Sequence, residues 1–360
     1  MRLTVLNISY PLAQVSACTA GGAEQILATI DEALVRAGHR SLVVAPFGSR
    51  CAGLVLPVSV SSHPFNNHAM RRASQQYRES INRVLSRFSV DIVHLHGIDF
   101  LDYLPEPGIP VLVTLHLPPS WYPAEAFKLH RPQTYLVCVS ESQAQACPPY
   151  ARITKIIENG VRLDRFHPGH TKGSYALSMG RICPEKGFHL AMEAADAAGV
   201  PIFLAGAVFE YVDHLSYFQK FIRPKLDHNH RFLGPVGGDH KRTLLSGAKC
   251  LLVPSLAPET SSLVAMEAMA CGTPVIAFRS GALCELIEHN RTGFLVETVQ
   301  EMAEAISAST ALDLSLCRRA AGARFSAETM VQQYLSTYQD LVSRGSSGSE
   351  EIVLAKLFAD

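Results

Sequence analysis

Two glutamates, Glu259 and Glu267, lie eight positions apart where an apolar run gives way to a helix pattern. The run at 250–253 is typical of a buried strand, and apolar residues at spacings of three and four begin at Leu263. Ligands of open α/β sheets bind at the carboxyl ends of strands, and helix N-termini favour phosphate. The pair therefore indicates a ligand site, with two solvated carboxylates near helix ends as the alternative.

Two cations, Arg181 and Lys186, stand five positions apart in a loop bounded by Gly180 and Gly187. The loop follows a predicted strand and precedes a predicted helix, so both side chains can reach one diphosphate. Negative charge builds on a diphosphate leaving group as its bond breaks, and fixed cations stabilise that charge. The pattern predicts phosphate binding rather than two unrelated surface cations.

A glycine pair and two histidines follow predicted strands in the first half of the chain. Gly21 and Gly22 open a helix but lack the GxGxxG spacing, so a nicotinamide dinucleotide is not indicated. The pair either lets backbone approach a ligand closely or forms an ordinary loop. His96 and His116 each end a predicted strand, where parallel sheets bind ligands. We expect His116 in the site and regard His96 as a second candidate.

The order of these segments resembles that of GT-B glycosyltransferases, in particular the family 4 type. The resemblance covers about residues 1–342 and rests on four motifs: the E-x7-E pair, GR-x4-KG at 180–187, GG-x-E at 21–24 and T-x-H at 114–116. Two positions depart from the family pattern. Leu117 stands where an aspartate often follows the histidine, and Gly281 alone remains where two glycines are common.

The resemblance implies that these residues bind a nucleotide-diphosphate sugar. Glu259 would hold the donor sugar, His116 would help to position it, and Glu267 would hold the ribose hydroxyls. The remaining donor-binding residues would be Gly21, Gly22, Arg181, Lys186, Ser262 and Leu263 at the diphosphate and Val236 at the base. The catalytic set would be His116, Arg181, Lys186 and Glu259, with His96 on the acceptor side.

The same resemblance implies a retaining glycosyltransferase that moves the sugar to a hydroxyl of another sugar, a lipid-linked glycan or a small metabolite. It also implies attack on the face that the leaving group occupies, with a donor phosphate oxygen taking the acceptor proton. Two other classes remain open. One is a GT-B nucleotide-sugar epimerase or sugar phosphorylase, and the other is a non-catalytic nucleotide-sugar-binding protein.

The composition excludes several other classes. The 360 residues are 48% hydrophobic and 18% charged with a formal net charge of zero, so a general nucleic-acid partner is not indicated. Nine cysteines without a CxxC pair, and no expected signal peptide, favour reduced thiols in a cytoplasm. No apolar run reaches the ~20 residues that span a bilayer. No Asp-x-Asp cluster suits a metal-bridged diphosphate, so we expect no cofactor and no essential metal.

Residues 68–88 form a strongly amphipathic pattern, with five arginines against one glutamate. Its first interpretation is a surface helix that packs through its apolar stripe. The second is a face that meets an anionic lipid or an anionic acceptor, which would place the protein peripherally at the inner face of the membrane.

Strands alternate with helices in both halves of the chain, which predicts an α/β protein of two doubly wound, Rossmann-like domains. With the resemblance, the expected architecture is GT-B, with the two domains facing a central cleft. The predicted acceptor-side domain is 1–165, completed by a helix at 325–342 that Ser326 caps. The predicted donor-binding domain is 166–324. Residues 343–349 read as a flexible spacer, and the tail to residue 360 receives no role.

Overall fold

The computed structural model describes residues 2–17, 19, 21–60, 67–169 and 171–357. The chain divides into two compact units. Unit 1 combines the chain up to Val139, the segment Ala144–Ile157 and the chain from Met330 onward. Unit 2 combines Ser140–Gln143 with Glu158–Thr329. The long continuous segment of unit 2 begins at Glu158, seven residues before the predicted end of the first domain at 165.

Unit 1 holds a parallel sheet of seven described strands in the order β3-β2-β1-β4-β5-β6-β7. The strands are β1 Thr4–Ile8, β2 Arg40–Pro46, β3 Leu54–Val58, β4 Ile92–Leu95, β5 Val111–Leu115, β6 Thr134–Cys138 and β7 Ile153–Ile156. The helices are α1 Gly22–Arg36, α2 Asn67–Arg87, α3 Glu141–Ala146, which begins in unit 2, and the final helix α11 Ala327–Leu357. Strand order reverses between β1 and β4, which makes their carboxyl ends the switch point of a doubly wound sheet.

Unit 2 repeats this architecture with six described strands in the order β10-β9-β8-β11-β12-β13, all parallel. The strands are β8 Ala176–Met179, β9 Ile202–Ala205, β10 His230–Phe232, β11 Cys250–Val253, β12 Val275–Phe278 and β13 Gly293–Val296. The helices are α4 Phe188–Ala197, α5 Val212–Tyr217, α6 Gly238–Gly247, α7 Leu263–Ala270, α8 Leu283–Leu286, α9 Val299–Ala308 and α10 Leu314–Arg324. Here the order reverses between β8 and β11, so the loops after these two strands lie side by side.

The central strands are buried along their whole length because helices cover both faces of each sheet. Every residue of β5 and of β11 is buried, as expected for strands inside a parallel sheet. The α/β prediction of two Rossmann-like domains is confirmed by these two sheets and their interleaved helices.

Helix α2 packs through its apolar stripe, as the first interpretation of residues 68–88 requires. Tyr77, Ile81 and Val84 are buried in the core of unit 1, and the Tyr77 ring lies 5.6 Å from that of Tyr103. The arginines of α2 are exposed. Their contact with an anionic surface stays a prediction. In the described part of the chain, no helix combines the length and apolarity needed to cross a membrane.

The final helix differs from its prediction at its end. Its predicted N-cap is confirmed, since the Ser326 hydroxyl accepts a hydrogen bond from the backbone N–H of Thr329 at 3.0 Å. The helix does not stop at residue 342 but runs to Leu357, so the flexible spacer predicted at 343–349 is wrong. Once a helix exists, each further residue adds one hydrogen bond, and glycine or serine weakens it by only about 0.5–1 kcal/mol per residue.

Two glycines that flank α4 allow a matched test of how closely the loops of unit 2 approach one another. Gly187 and Gly199 both have φ +64°. A Cβ on Gly187 would lie 2.2 Å from the carbonyl oxygen of Pro254, just after β11, whereas a Cβ on Gly199 would meet no atom within 4 Å. The loop after β8 therefore tolerates only glycine where it contacts the loop after β11.

We expect Gly187→Ala to lower the free energy of unfolding by about 3 kcal/mol, because left-handed strain and overpacking add. Gly199→Ala should cost only the strain, about 1 kcal/mol. Urea denaturation of the two variants measures the difference. Equal losses would show that the contact with Pro254 does not limit the loop.

Candidate active site

The loops after β8 and β11 meet in an ion pair whose carboxylate is buried and whose lysine is partly exposed. Lys186 Nζ lies 2.5 Å from Glu259 Oε1, and the Ser255 hydroxyl donates to the same oxygen. Glu259 is 8% exposed. A second tie holds the loops together, because the backbone N–H of Leu256 donates to the carbonyl of Glu185 at 2.8 Å. Two of the residues predicted for the site are thus in direct contact, seventy-three positions apart in the chain.

The backbone of Glu259 is fixed from the other side by the loop after β12. Its carbonyl accepts a hydrogen bond from the backbone N–H of Ala282 at 2.8 Å. Gly281, at φ +53°, packs against that carbonyl so closely that a Cβ would lie 2.2 Å from the oxygen. The one glycine that this chain keeps here is the one that lets the loop reach Glu259.

Glu267 forms a second buried ion pair, with a cation that the sequence analysis missed. Both of its carboxylate oxygens lie 2.6 Å from Nζ of Lys241 on α6. Glu267 is 2% exposed, and this burial raises its pKa while the charge of Lys241 opposes the rise. Lys241 sits within an ordinary helical pattern, so only the fold could reveal this contact.

The start of α7 between the two glutamates leaves polar groups without intramolecular partners. Ser262 is the N-cap by position, but its side chain makes no capping hydrogen bond. The first backbone N–H groups of a helix have no intrahelical acceptor. Ser261 Oγ is buried and has no hydrogen-bond partner among the described residues. Such groups favour an anion that accepts several hydrogen bonds.

Arg181 lies after the glycine turn that ends β8. It is half-buried, and its guanidinium makes no hydrogen bond or ion pair with the described residues, although its charge interacts with that of Glu185. Gly180 and Gly206, both at φ +153°, follow the neighbouring strands β8 and β9. Their backbones are in close contact, because a Cβ on Gly206 would lie 1.7 Å from the Gly180 carbonyl oxygen. Gly206 was not predicted as part of the site, although a glycine directly after a strand was a usable signal. Val236 is half-buried against the core of unit 2.

In unit 1, the predicted glycine pair begins α1. Gly21 is the N-cap residue and Gly22 is the first helical residue. A Cβ on Gly21 would lie 1.8 Å from Oε2 of Glu24, so this carboxylate closes over the glycine. Glu24 is itself buried, which explains why the GG-x-E spacing matters to the local structure.

Three histidines lie together near the carboxyl ends of β4 and β5, and two of them, His96 and His116, are joined by a hydrogen bond. His96 Nδ1 and His116 Nε2 are 3.0 Å apart, with their rings stacked at 5.2 Å. His94 lies 4.0 Å from His96 by ring centroids and is held by Tyr338 and Thr114, each at 2.8 Å. Burial lowers the pKa of His116 to about 4 and lowers those of His94 and His96 well below the usual value. The cluster is therefore neutral at pH 7.

The structure thus divides the predicted site residues between the two units. Unit 2 joins Lys186 to Glu259 and places Glu267, Ser262 and Leu263 on one short helix. Unit 1 carries Gly21, Gly22, His96 and His116. Sequence reasoning missed Lys241 and His94, although the His-x-His spacing at the end of β4 was a signal for the second.

Solved structures resemble nearly the whole chain. A glycosyltransferase of avilamycin A biosynthesis matches with a TM-score of 0.71 at 24% identity, covering 95% of this chain and 98% of its own. Sucrose-phosphate synthase from Thermosynechococcus elongatus matches with a TM-score of 0.77 at 19% identity, covering 95% and 100%. Anabaena HepE, solved in complex with UDP-glucose, matches with a TM-score of 0.72 at 21% identity, covering 94% and 100%. The two α/β units thus define a GT-B fold.

Sequence comparison identifies the family. Residues 20–165 match the family described as Glycosyltransferase Family 4, and residues 162–320 match Glycosyl transferases group 1. The chain belongs to the family 4 type of GT-B glycosyltransferases.

Curated relatives align over part of the chain. An uncharacterized glycosyltransferase of Methanocaldococcus jannaschii is 34% identical over 33% of this chain and 31% of its own length. A D-inositol 3-phosphate glycosyltransferase of Mycobacterium avium is 30% identical over 51% of this chain and 48% of its own length. The chain spans about a third of the length of the first relative and about half of the length of the second.

The Lys241–Glu267 pair yields a prediction about stability. Lys241→Met leaves the buried carboxylate of Glu267 unpaired, and we expect a loss of about 3–5 kcal/mol in the free energy of unfolding. Lys225→Met removes the cation of an exposed pair with Glu193 and should cost less than about 1 kcal/mol. Urea titration measures both losses. Adding Glu267→Gln to Lys241→Met should recover stability, and no recovery would mean that the pair is not the cause.

The histidine cluster yields a prediction about pH. Because the folded-state pKa of His116 is below the unfolded value, the unfolded chain binds the extra proton as the pH falls from about 6.5 to about 4. Stability is therefore lost across that window, by about 2 kcal/mol at pH 5 from His116 alone.

Unfolding free energies at pH 7 and pH 5 test this expectation. His116→Gln should reduce the difference between the two values, and His130→Gln, at an exposed position, should leave it unchanged. An equal difference in both variants would assign the pH dependence to other groups.

Proposed function

We propose that this protein is a retaining glycosyltransferase that moves a sugar from a nucleotide-diphosphate sugar to a hydroxyl acceptor. The observation that carries the proposal is the meeting of Lys186 and Glu259 in the loops that lead to the start of α7. A cation, a carboxylate and unpaired helix N–H groups in one place suit a diphosphate with a sugar attached. The proposed location is the cytoplasm, with the arginine face of α2 toward an anionic membrane surface.

The diphosphate would bind to Arg181, Lys186 and the start of α7. The Arg181 guanidinium makes no hydrogen bond or ion pair within the described chain, and Lys186 would share its three donors between the phosphate and Glu259. These fixed charges stabilise the negative charge that builds on the leaving diphosphate. They supply what a bridging metal would supply, so we propose that transfer needs no metal.

The sugar and the nucleoside would bind on either side of the diphosphate. Glu259 would accept hydrogen bonds from sugar hydroxyls, and the pair with Lys186 holds its carboxylate in place before the donor arrives. Glu267 would accept from the ribose hydroxyls, with Lys241 keeping it ionised despite its burial. Val236 would contact the base, and Gly21 and Gly22 would let the backbone of unit 1 approach the phosphate.

We propose that the sugar is transferred with retention and without a covalent intermediate on the protein. Glu259 is engaged by Lys186 and Ser255, which makes it a poor nucleophile. A donor phosphate oxygen would therefore take the acceptor proton while the acceptor attacks the face that the diphosphate leaves. His116 would position the sugar through its neutral imidazole, and His96 would lie toward the acceptor, which is a sugar, a lipid-linked glycan or a small metabolite.

The comparisons support a nucleotide-sugar donor. Anabaena HepE is described in complex with UDP-glucose, and the M. avium relative is described as a glycosyltransferase acting on D-inositol 3-phosphate. We infer a uridine-diphosphate sugar as the first donor to try, and a hydroxylated small molecule or glycan as acceptor.

Donor turnover tests the proposal. The protein is incubated with UDP-, GDP-, ADP- and dTDP-sugars in chelator, without acceptor, and release of nucleoside diphosphate is measured. We expect slow release from one donor. Lys186→Ala and Glu259→Ala should each lower the rate by about 100- to 1,000-fold, since each removes a group that stabilises developing charge or holds the sugar.

Lys225→Ala, which removes an exposed cation from unit 2, is the matched control and should retain the rate. Circular dichroism of each variant separates loss of chemistry from loss of fold. Isomerised sugar without released diphosphate would replace the proposal with an epimerase. A donor that binds but is not consumed, even with acceptors present, would indicate a non-catalytic binding protein.

A further inference from the structure

Three side chains of different chemistry converge beside the phosphate-binding loop of unit 2 without a role in the proposed reaction. They are Cys183 and Glu185, which flank a proline in the loop after β8, and His214 on α5. One ligand atom from each, a sulfur, a carboxylate oxygen and a ring nitrogen, lies within 4.8 Å of the other two. The fold thus places His214 close enough to Cys183 and Glu185 for all three side chains to bind one small ion.

His214 is placed as a metal ligand rather than as part of a hydrogen-bonded network. Its side chain is 9% exposed, and its Nδ1 is buried without a hydrogen-bond partner in the described chain. The rings of Phe209 and Tyr211 lie 6.3 and 5.0 Å away and restrict its orientation. A buried polar nitrogen with no partner costs free energy, and coordination of an ion would recover it.

The Cys183 thiol favours a soft or borderline ion. It is 1% exposed, and its thiol contacts the Glu185 carboxylate and, at 3.5 Å, the carbonyl oxygen of Arg181. A thiolate and an imidazole select zinc and its relatives over magnesium and calcium, which require oxygen ligands.

We propose that Cys183, Glu185 and His214 form a binding site for a zinc-class divalent cation. Three protein ligands with a fourth position open to water or an anion is a common coordination for zinc. On binding, the Cys183 thiol loses its proton to solvent, and the thiolate and the Glu185 carboxylate together match the two positive charges of the ion. With the thiol neutral and Glu185 ionised beforehand, binding changes the local charge beside Arg181 from −1 to zero.

The site goes beyond the proposed transferase function because the ion takes no part in bond breaking there. The ion would instead affect the conformation of the loop after β8. Cys183 and Glu185 lie between Arg181 and Lys186, and the Glu185 carbonyl accepts the hydrogen bond from Leu256. An ion that ties this loop to α5 would fix the backbone that carries both phosphate-binding cations.

Metal binding is measured directly, without any donor sugar. Co²⁺ is added to the metal-free full-length protein, and the thiolate-to-cobalt charge-transfer absorption is recorded, followed by displacement with Zn²⁺. We expect one equivalent of Co²⁺ to give the absorption, Zn²⁺ to abolish it and Mg²⁺ to leave it unchanged. In the wild-type chain, ¹¹³Cd nuclear magnetic resonance should show one site with a single sulfur ligand.

Three variants assign the site. Cys183→Ser and His214→Ala should each weaken Zn²⁺ binding by more than about 100-fold, beyond the effect of losing an outer-shell contact. Cys284→Ser is the matched control, because Cys284 is the exposed thiol among the described cysteines and could bind metal adventitiously. No absorption in the wild-type protein, or absorption that survives Cys183→Ser and disappears in Cys284→Ser, would overturn the proposal. If a variant fails to fold, the ¹¹³Cd spectrum of the wild-type chain still shows whether the bound metal has one sulfur ligand, as the proposal requires.

Discussion

The pairing of buried carboxylates with cations is the constraint on which the donor-side unit depends. A carboxylate that leaves water must be paired, since an uncompensated buried charge costs several kcal/mol. Glu259 and Glu267 are both buried, and each meets a lysine from a distant part of the chain. The loop after β8 and the helix α6 must therefore converge on the β11–α7 segment. These ion pairs do not by themselves favour folding strongly. They do specify which loops come together.

Close backbone contacts make this convergence geometrically feasible. The loops that present the charges approach through glycines whose Cβ would collide with a carbonyl oxygen, at Gly187 against Pro254 and at Gly281 against Glu259. Removing these side chains lets the charged groups of three loops occupy a space that ordinary residues would fill. Glycine adopts the positive φ at both positions without steric strain, and the cost is the larger backbone entropy that a glycine loses on folding.

Much of this arrangement could be predicted from the sequence because it depends on patterns within short segments of the chain. Apolar runs and glycine-bounded loops mark the strands and their carboxyl ends, and the Glu259–Glu267 and Arg181–Lys186 spacings then place chemistry there. Contacts between distant segments could not be predicted in this way. Lys241 has no local pattern that distinguishes it from a surface lysine, and only the packing of α6 on α7 brings it to Glu267. The end of the final helix was missed for a different reason, because helix propagation overrode the local preference of 343–349.

The two units place different chemistry at the carboxyl ends of their sheets. Unit 2 offers ions, with two lysines held against two carboxylates. Unit 1 offers a neutral group, since burial lowers the pKa of His94, His96 and His116. Phosphates are bound by fixed positive charge and helix N–H groups, whereas hydroxyls are bound well by neutral donors and acceptors that do not compete for the phosphate. The tyrosines of the final helix support this neutrality, because Tyr338 and Tyr334 bond to His94 and Thr114 and exclude water from the cluster. The final helix, which returns the chain to unit 1, thus helps to keep the histidine cluster neutral in addition to packing on that unit.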